Sequence, residues 1–296
     1  MEVTPQDTIG TTSIAIGNPW VYFAATYAIT WSFWLAAIAL GVRFDSAAGL
    51  ALLLVGLTGP GIAGVGFVYL VYDEHGRADF WDRVSQVRRI GLTWFLVILA
   101  IPVAVTIVAA VVDSLLGGPG ATWGAGVQEF GVNPMAILPA LFFATLPPIL
   151  EELGWRGYAL DRLQLNWSAL NASLLLGVVW AVWHLPLFFV PGSFQAESVG
   201  FGTRGFWLFM VGIVALSVAF TWVYNSTSRS VIAIILLHGW VNFVSETVEV
   251  GDLFYYAHWV LLAVLLTAIW GAKTLTNAEE VPRPPLPSSS EANVRS

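Results

Sequence analysis

The chain has 296 residues, of which 57% are hydrophobic and only 10% charged, with a formal net charge of -7 and a mean hydropathy of +0.75. A soluble domain carries about 25% charged residues, so composition excludes an ordinary water-soluble fold, and the acidic balance offers no basic stripe for nucleic acid. There is no cysteine, which excludes disulfides, thiolate metal ligands and a cysteine nucleophile.

The pattern reads as an all-α, polytopic membrane protein. About 20 apolar residues span the hydrocarbon core as a helix, and eight spans are predicted, at 20–41, 47–72, 92–116, 134–159, 168–190, 206–224, 230–248 and 253–272. Residues 1–19 contain no Lys or Arg, hence no basic region of a signal peptide, and are expected to remain as an N-terminal cytoplasmic tail. Gly56, Gly59, Gly61, Gly64 and Gly66 crowd the second span, a spacing that permits close helix packing. The linker 73–91 holds Arg77, Arg83, Arg88 and Arg89. Pro134, Pro139, Pro147 and Pro148 break up the fourth span, and a fresh helix is expected to start near Pro148 and run to Leu165. Glu151 and Glu152 would then lie in its first turns, where the helix dipole favours anions. Trp20, Trp94, Trp207, Trp259 and Trp270 fall near predicted ends and read as an interfacial belt. The domain is placed at 20–272, followed by a tail, 273–296, whose prolines and serine run read as disordered from about Asn277. With eight spans, Arg156, Arg162 and Arg229 join the linker arginines on one side, and Arg43 and Arg204 fall on the other, which places both termini in the cytoplasm.

Ionisable side chains at membrane depth are expensive and mark a functional site by default. The fourth span carries Glu151, Glu152 and Arg156, the fifth Trp180 and His184, the seventh His238 and Asn242. Residues four apart lie about 40° apart around a helix axis, so each of the pairs Glu152/Arg156, Trp180/His184 and His238/Asn242 can point into one shared cavity. Glu152 with Arg156 makes a structural ion pair, which leaves Glu151 as a base. A carboxylate beside a histidine can activate water, and a second histidine with an amide can stabilise an oxyanion in a low-dielectric cavity. Glu151, His184 and His238 also form an oxygen and nitrogen set suited to zinc with an open water position, although HExxH is absent, so zinc is the lesser option. The rival reading is a non-catalytic membrane protein, a transporter or a partner scaffold, that uses these groups as a proton relay or as glue between helices. Depth bears on the choice. His184 falls about 16 residues, roughly 24 Å, from the cytoplasmic end of a span starting at Ser168, deeper than Glu151, so a later start near Asn171 is expected.

Glu151-Glu152-Leu153-Gly154-Trp155-Arg156 resembles the EExxxR motif of the CAAX protease and bacteriocin-processing family of intramembrane proteases, also called CPBP or Abi. Trp180 to His184 resembles that family's FxxxH motif, with Trp in place of Phe, and His238 to Asn242 its HxxxN/D motif. The resemblance covers about residues 134–248. It implies an eight-helix membrane fold in a prokaryotic cell membrane and hydrolysis of a peptide bond in a peptide or membrane-anchored protein. It further implies that Glu151 and His184 activate water, that His238 and Asn242 line the oxyanion site, and that Glu152 and Arg156 orient the others. Family members are often called metalloproteases, which keeps zinc as the candidate cofactor. The Trp at 180 keeps an aromatic wall and adds an indole N–H.

Overall fold

The computed structural model describes residues 17–123 and 125–285. It bears out the all-α membrane class: seven helical stretches among the described residues are long and apolar enough to cross a membrane. These comprise α1 (Pro19–Ala39), α2 (Ala47–Leu57) joined to α3 (Gly59–Val71), α5 (Gly91–Leu115), α7 (Ile137–Gly154) continuing through a π-helix (Trp155–Ala159) into α8 (Leu160–Gln164), α9 (Ala169–Trp183) continuing through a 3-10 helix (Leu185–Phe189), α10 (Arg204–Ser226) and α12 (Asp252–Trp270). The remaining predicted span is α11 (Val231–Thr247), apolar but only 17 residues long, or about 26 Å. Short elements join them: α4 (Glu74–Ser85) in the arginine-rich linker, and, on the opposite face, α6 (Ala125–Val132) and a ladder pairing β1 (Thr122–Trp123) with β2 (Val248–Glu249).

Local chemistry sets the helix starts. Asn18, Ser46, Asp73, Ser168, Thr203 and Ser230 each accept a hydrogen bond from a backbone N–H in the first turn of the helix that follows, satisfying one of the donors a helix N-terminus leaves free. The N-terminus of α9 is closed further by the chain after α12, since Ala169 N and Leu170 N donate to Lys273 O and Ala272 O at 2.9 and 3.1 Å.

α7 lies between α3 and α11. The α3 contact depends on glycine: a β-carbon on Gly61 would stand 2.5 Å from Leu150 O, and one on Gly64 2.6 Å from Gly154 Cα. These two of the crowded glycines let α3 lie against the stretch of α7 that carries Glu151 and Glu152.

Three expectations differ from the structure. No fresh helix begins at Pro148. α7 passes through Pro147 and Pro148 without ending, so the two glutamates sit far from a helix N-terminus and the dipole argument does not apply to them. Packing on both sides outweighs the loss of proline N–H groups. Trp259 is a core residue, 1% exposed, rather than part of a belt, whereas Trp20 and Trp207 are 51% and 62% exposed. Packing also continues past residue 272: Leu275 is fully buried, Asn225 Nδ2 donates to Thr274 O at 3.0 Å, and Arg229 Nη1 donates to Arg283 O at 3.3 Å. The expected N-terminal tail up to residue 16, and the tail beyond 285, lie outside the described residues.

A buried charge cluster ties α4 to the ends of α8 and α10. Arg83 donates to Asp79 at 2.8 Å, to Tyr224 Oη at 2.8 Å and to Gly157 O, within the π-helix, at 3.1 Å. Arg229 pairs with Asp161 at 2.5 Å and with Asp79 at 3.0 Å. Burial pulls the Arg83 guanidinium down, but Tyr224 and Asp161 carry it above its ordinary value, and at Arg229 the same contest is won by Asp161.

Candidate active site

The acidic pair sits in the last turn of α7, and the two glutamates face different partners, as residues about 100° apart on a helix must. Glu152, fully buried, receives Arg156 Nη1 at 3.0 Å on both carboxylate oxygens. The spacing foretold that pair, but not the second bond: His238 Nδ1 lies 2.9 Å from Glu152 Oε1, joining α7 to α11. Arg156, also fully buried, donates to Ser217 Oγ on α10 at 3.2 Å. Its guanidinium carbon stands 4.9 Å from the ring centres of both Trp180 and Phe220, a cation held between aromatic faces.

Glu151, 4% exposed, turns toward α9 and accepts Trp180 Nε1 on Oε2 at 2.6 Å. Its Oε1 makes no hydrogen bond among the described residues. Trp180 is the side chain that meets most of the others. Its ring stands edge-on to His238 with centres 5.2 Å apart, and its carbonyl receives His184 Nδ1 at 2.8 Å. A carbonyl oxygen only accepts, so Nδ1 of His184 carries hydrogen and Nε2 of the neutral ring keeps its lone pair.

His184 is the C-cap of α9, where the last carbonyls lack helical partners. Two of them find side chains, Trp183 O accepting Trp31 Nε1 at 3.1 Å and Trp180 O accepting His184 itself, and one residue earlier Val179 O accepts Tyr27 Oη at 2.5 Å. Thr30 Oγ1 accepts Trp183 Nε1 at 2.9 Å, so α1 fixes the end of α9 on which the histidine stands.

The depth expectation is corrected by these elements. α9 starts at Ala169, not near Asn171 or beyond, and no late start is needed. The helix bearing Glu151 extends through the π-helix to Gln164, which puts Glu151 about 20 Å from the arginine-rich end, against about 17 Å for Trp180. The two therefore meet at one level.

Asn242 makes a bond that its spacing did not foretell. Its Nδ2 donates to Ala144 O on α7 at 3.1 Å. As for zinc, no three His, Asp or Glu side chains among the described residues are grouped as a metal site requires. His238 Nδ1 is engaged by Glu152, His184 Nδ1 by Trp180 O, and one oxygen of Glu151 by the Trp180 indole. Those bonds leave Nε2 of each histidine and Oε1 of Glu151 as the atoms that would hold zinc; no step below is routed through a metal.

Sequence reasoning overlooked Ser217 and Phe220. Ser217 is a polar residue within the apolar run of α10, which is the signal that could have found it. Phe220, one apolar residue among many, gave none.

Residues 133–244, which contain Glu151, Glu152, Arg156, His184, His238 and Asn242, match the family model described as Type II CAAX prenyl endopeptidase Rce1-like. The chain is also 29% identical over 260 residues to the CAAX prenyl protease 2 of Methanococcus maripaludis, covering 83% of this chain and 93% of that protein. Both matches are to CAAX prenyl proteases, and they bear out the resemblance read from the three motifs.

Proposed function

We propose that the chain hydrolyses a peptide bond near the membrane interface with a water activated by Glu151 and His184. The observation that carries this reading is the convergence of a half-free carboxylate and a histidine of defined tautomer on the single residue Trp180. Water held by Glu151 Oε1 would lose a proton to Glu151 or to the lone pair of His184 Nε2 as its oxygen bonds to the peptide carbonyl carbon. The same proton, returned to the nitrogen of the tetrahedral intermediate, lets the C–N bond break to give an acid and an amine. His238 is assigned to the developing oxyanion. To donate from Nε2 while bonded through Nδ1, its ring must carry both protons, and the Glu152 carboxylate balances that charge. Glu152 and Arg156 orient it. Asn242, expected to share the oxyanion, commits one of its two amide N–H groups to Ala144 O.

The relative's name supports a substrate with a prenylated C-terminal CAAX sequence, presented from the lipid. The arginines of α4 and of the α8 and α11 starts support a cytoplasmic position for that face and both termini, in the cell membrane of a prokaryote. The test is cleavage of a panel of farnesylated CAAX peptides and unprenylated membrane-anchored peptides by the purified protein in micelles, with products identified by mass spectrometry. Wild type should release a C-terminal fragment, Glu151→Gln and His184→Ala should not, and a zinc chelator should leave the rate unchanged. Cleavage that survives both substitutions would retire these roles; cleavage lost to chelator and restored by zinc would retire the metal-free step.

A further inference from the structure

Pro148 has no backbone N–H, so the helical bond it would donate to the carbonyl four residues back, Ala144 O, cannot form. A buried carbonyl left without a donor is costly. Asn242 Nδ2, on α11, lies 3.1 Å from that oxygen. Because a carbonyl can only accept, the amide orientation is determined: the nitrogen, not the oxygen, faces Ala144. The two helices approach closely at this point, since a β-carbon on Gly239 would stand 2.8 Å from Thr145 Oγ1 and 3.3 Å from Thr145 Cα. α11 uses a related bond on its other side. Trp240 Nε1 donates at 2.9 Å to Leu99 O of α5, next to Ile98, whose carbonyl loses its helical donor to Pro102.

We infer that Asn242 is a positioning residue: its side-chain amide replaces the backbone donor that Pro148 lacks, and so pins α7 to α11 at the level where Glu152 reaches His238. Two tie points then join the same pair of helices, Ala144 to Asn242 and Glu152 to His238, about 12 Å apart along α7. Two points fix both the sliding and the tilt of one helix on the other, where one would fix neither fully. Glu151, adjacent to the second point, is thereby held at the height of the Trp180 indole. Proline at 148 makes the carbonyl available, and Gly239 lets the amide reach it.

The test is a double-mutant cycle of Asn242→Ala and Pro148→Ala, read in two ways. Alanine at 148 restores an N–H for Ala144 O, so the amide is no longer needed there. In the wild-type background Asn242→Ala should lower kcat by about tenfold or more, as loss of a buried hydrogen bond implies, with KM changed less than about threefold. In the Pro148→Ala background the same substitution should cost less than about threefold. An equal loss in both backgrounds would overturn the inference and assign Asn242 to the reacting atoms. The second reading is equilibrium unfolding in mixed micelles, which needs no substrate: the two substitutions should be non-additive, Pro148→Ala rescuing part of the stability lost with Asn242→Ala. Additive losses there would overturn the tie itself. The kinetic cycle rests on the proposed peptidase reading; that reading fails if wild type cleaves nothing or Glu151→Gln remains active, and the unfolding cycle decides the tie in either case.

Discussion

Replacing Arg156 by Met isolates what holds the centre of the bundle together. The side chain is nearly isosteric along its stem, and its loss removes the guanidinium paired with Glu152, a carboxylate with no solvent exposure. It also removes the bond to Ser217 and the charge between the Trp180 and Phe220 rings. Leaving one member of a fully buried pair unpartnered costs about 3–5 kcal/mol, a large share of the roughly 5–15 kcal/mol that keeps a domain folded. Glu152→Gln alone leaves the guanidinium buried without its anion and should cost a comparable amount. The double variant, with neither charge, should lose at least about 2 kcal/mol less than the sum of the single losses. Equilibrium unfolding in mixed detergent micelles, followed by circular dichroism, measures all three. If the two losses add within about 0.5 kcal/mol, Glu152 and Arg156 do not stabilise one another, and the role given to the pair in orienting His238 falls with them.

Trp180→Phe keeps an aromatic ring beside Arg156 but removes the N–H bonded to Glu151. Turnover of a cleaved peptide should fall by about tenfold or more, the worth of a hydrogen bond to a charged group, and a rate within about threefold of wild type would show that the indole does not hold Glu151. Gly64→Leu should prevent stable assembly, because even a β-carbon there would meet Gly154 Cα at 2.6 Å; a monodisperse protein with an unchanged unfolding midpoint would refute the close α3–α7 contact. Burial pushes the Tyr72 hydroxyl up to about 12 from its ordinary 10. Its neutral form is therefore favoured in the folded state, and the stability it contributes, complete below pH 10, should decline as pH rises from about 10 to about 12. Tyr72→Phe should flatten that decline in unfolding midpoints measured across the range, and an unchanged slope would count against it.

Much of the molecule was legible in the chain because the signals are local. Hydropathy over about 20 residues marked the spans, and the i, i+4 rule joined Glu152 to Arg156 within a single helix. The position of every ionisable group in an apolar run could be read before any fold was known. What lay beyond reach were relations between helices. The bond from His238 to Glu152 spans 86 residues, and that from Asn242 to Ala144 spans 98. Helical periodicity states which face a side chain occupies on its own helix, but not how that helix is rotated or how far it slides along its neighbour. Those quantities depend on close approaches such as Gly64 to Gly154 and Gly239 to Thr145, and on side chains that replace missing backbone donors. The same limit explains the misplaced break at Pro148: proline weakens a helix locally, and only packing on both sides, with a donor arriving from α11, lets α7 continue. By itself the sequence determined membrane class, the spans and the candidate residues; the tertiary structure alone decided that Glu151 faces an indole, that Glu152 holds a histidine, and that Asn242 bonds the backbone, because relative helix placement is a sum over contacts distant in the chain.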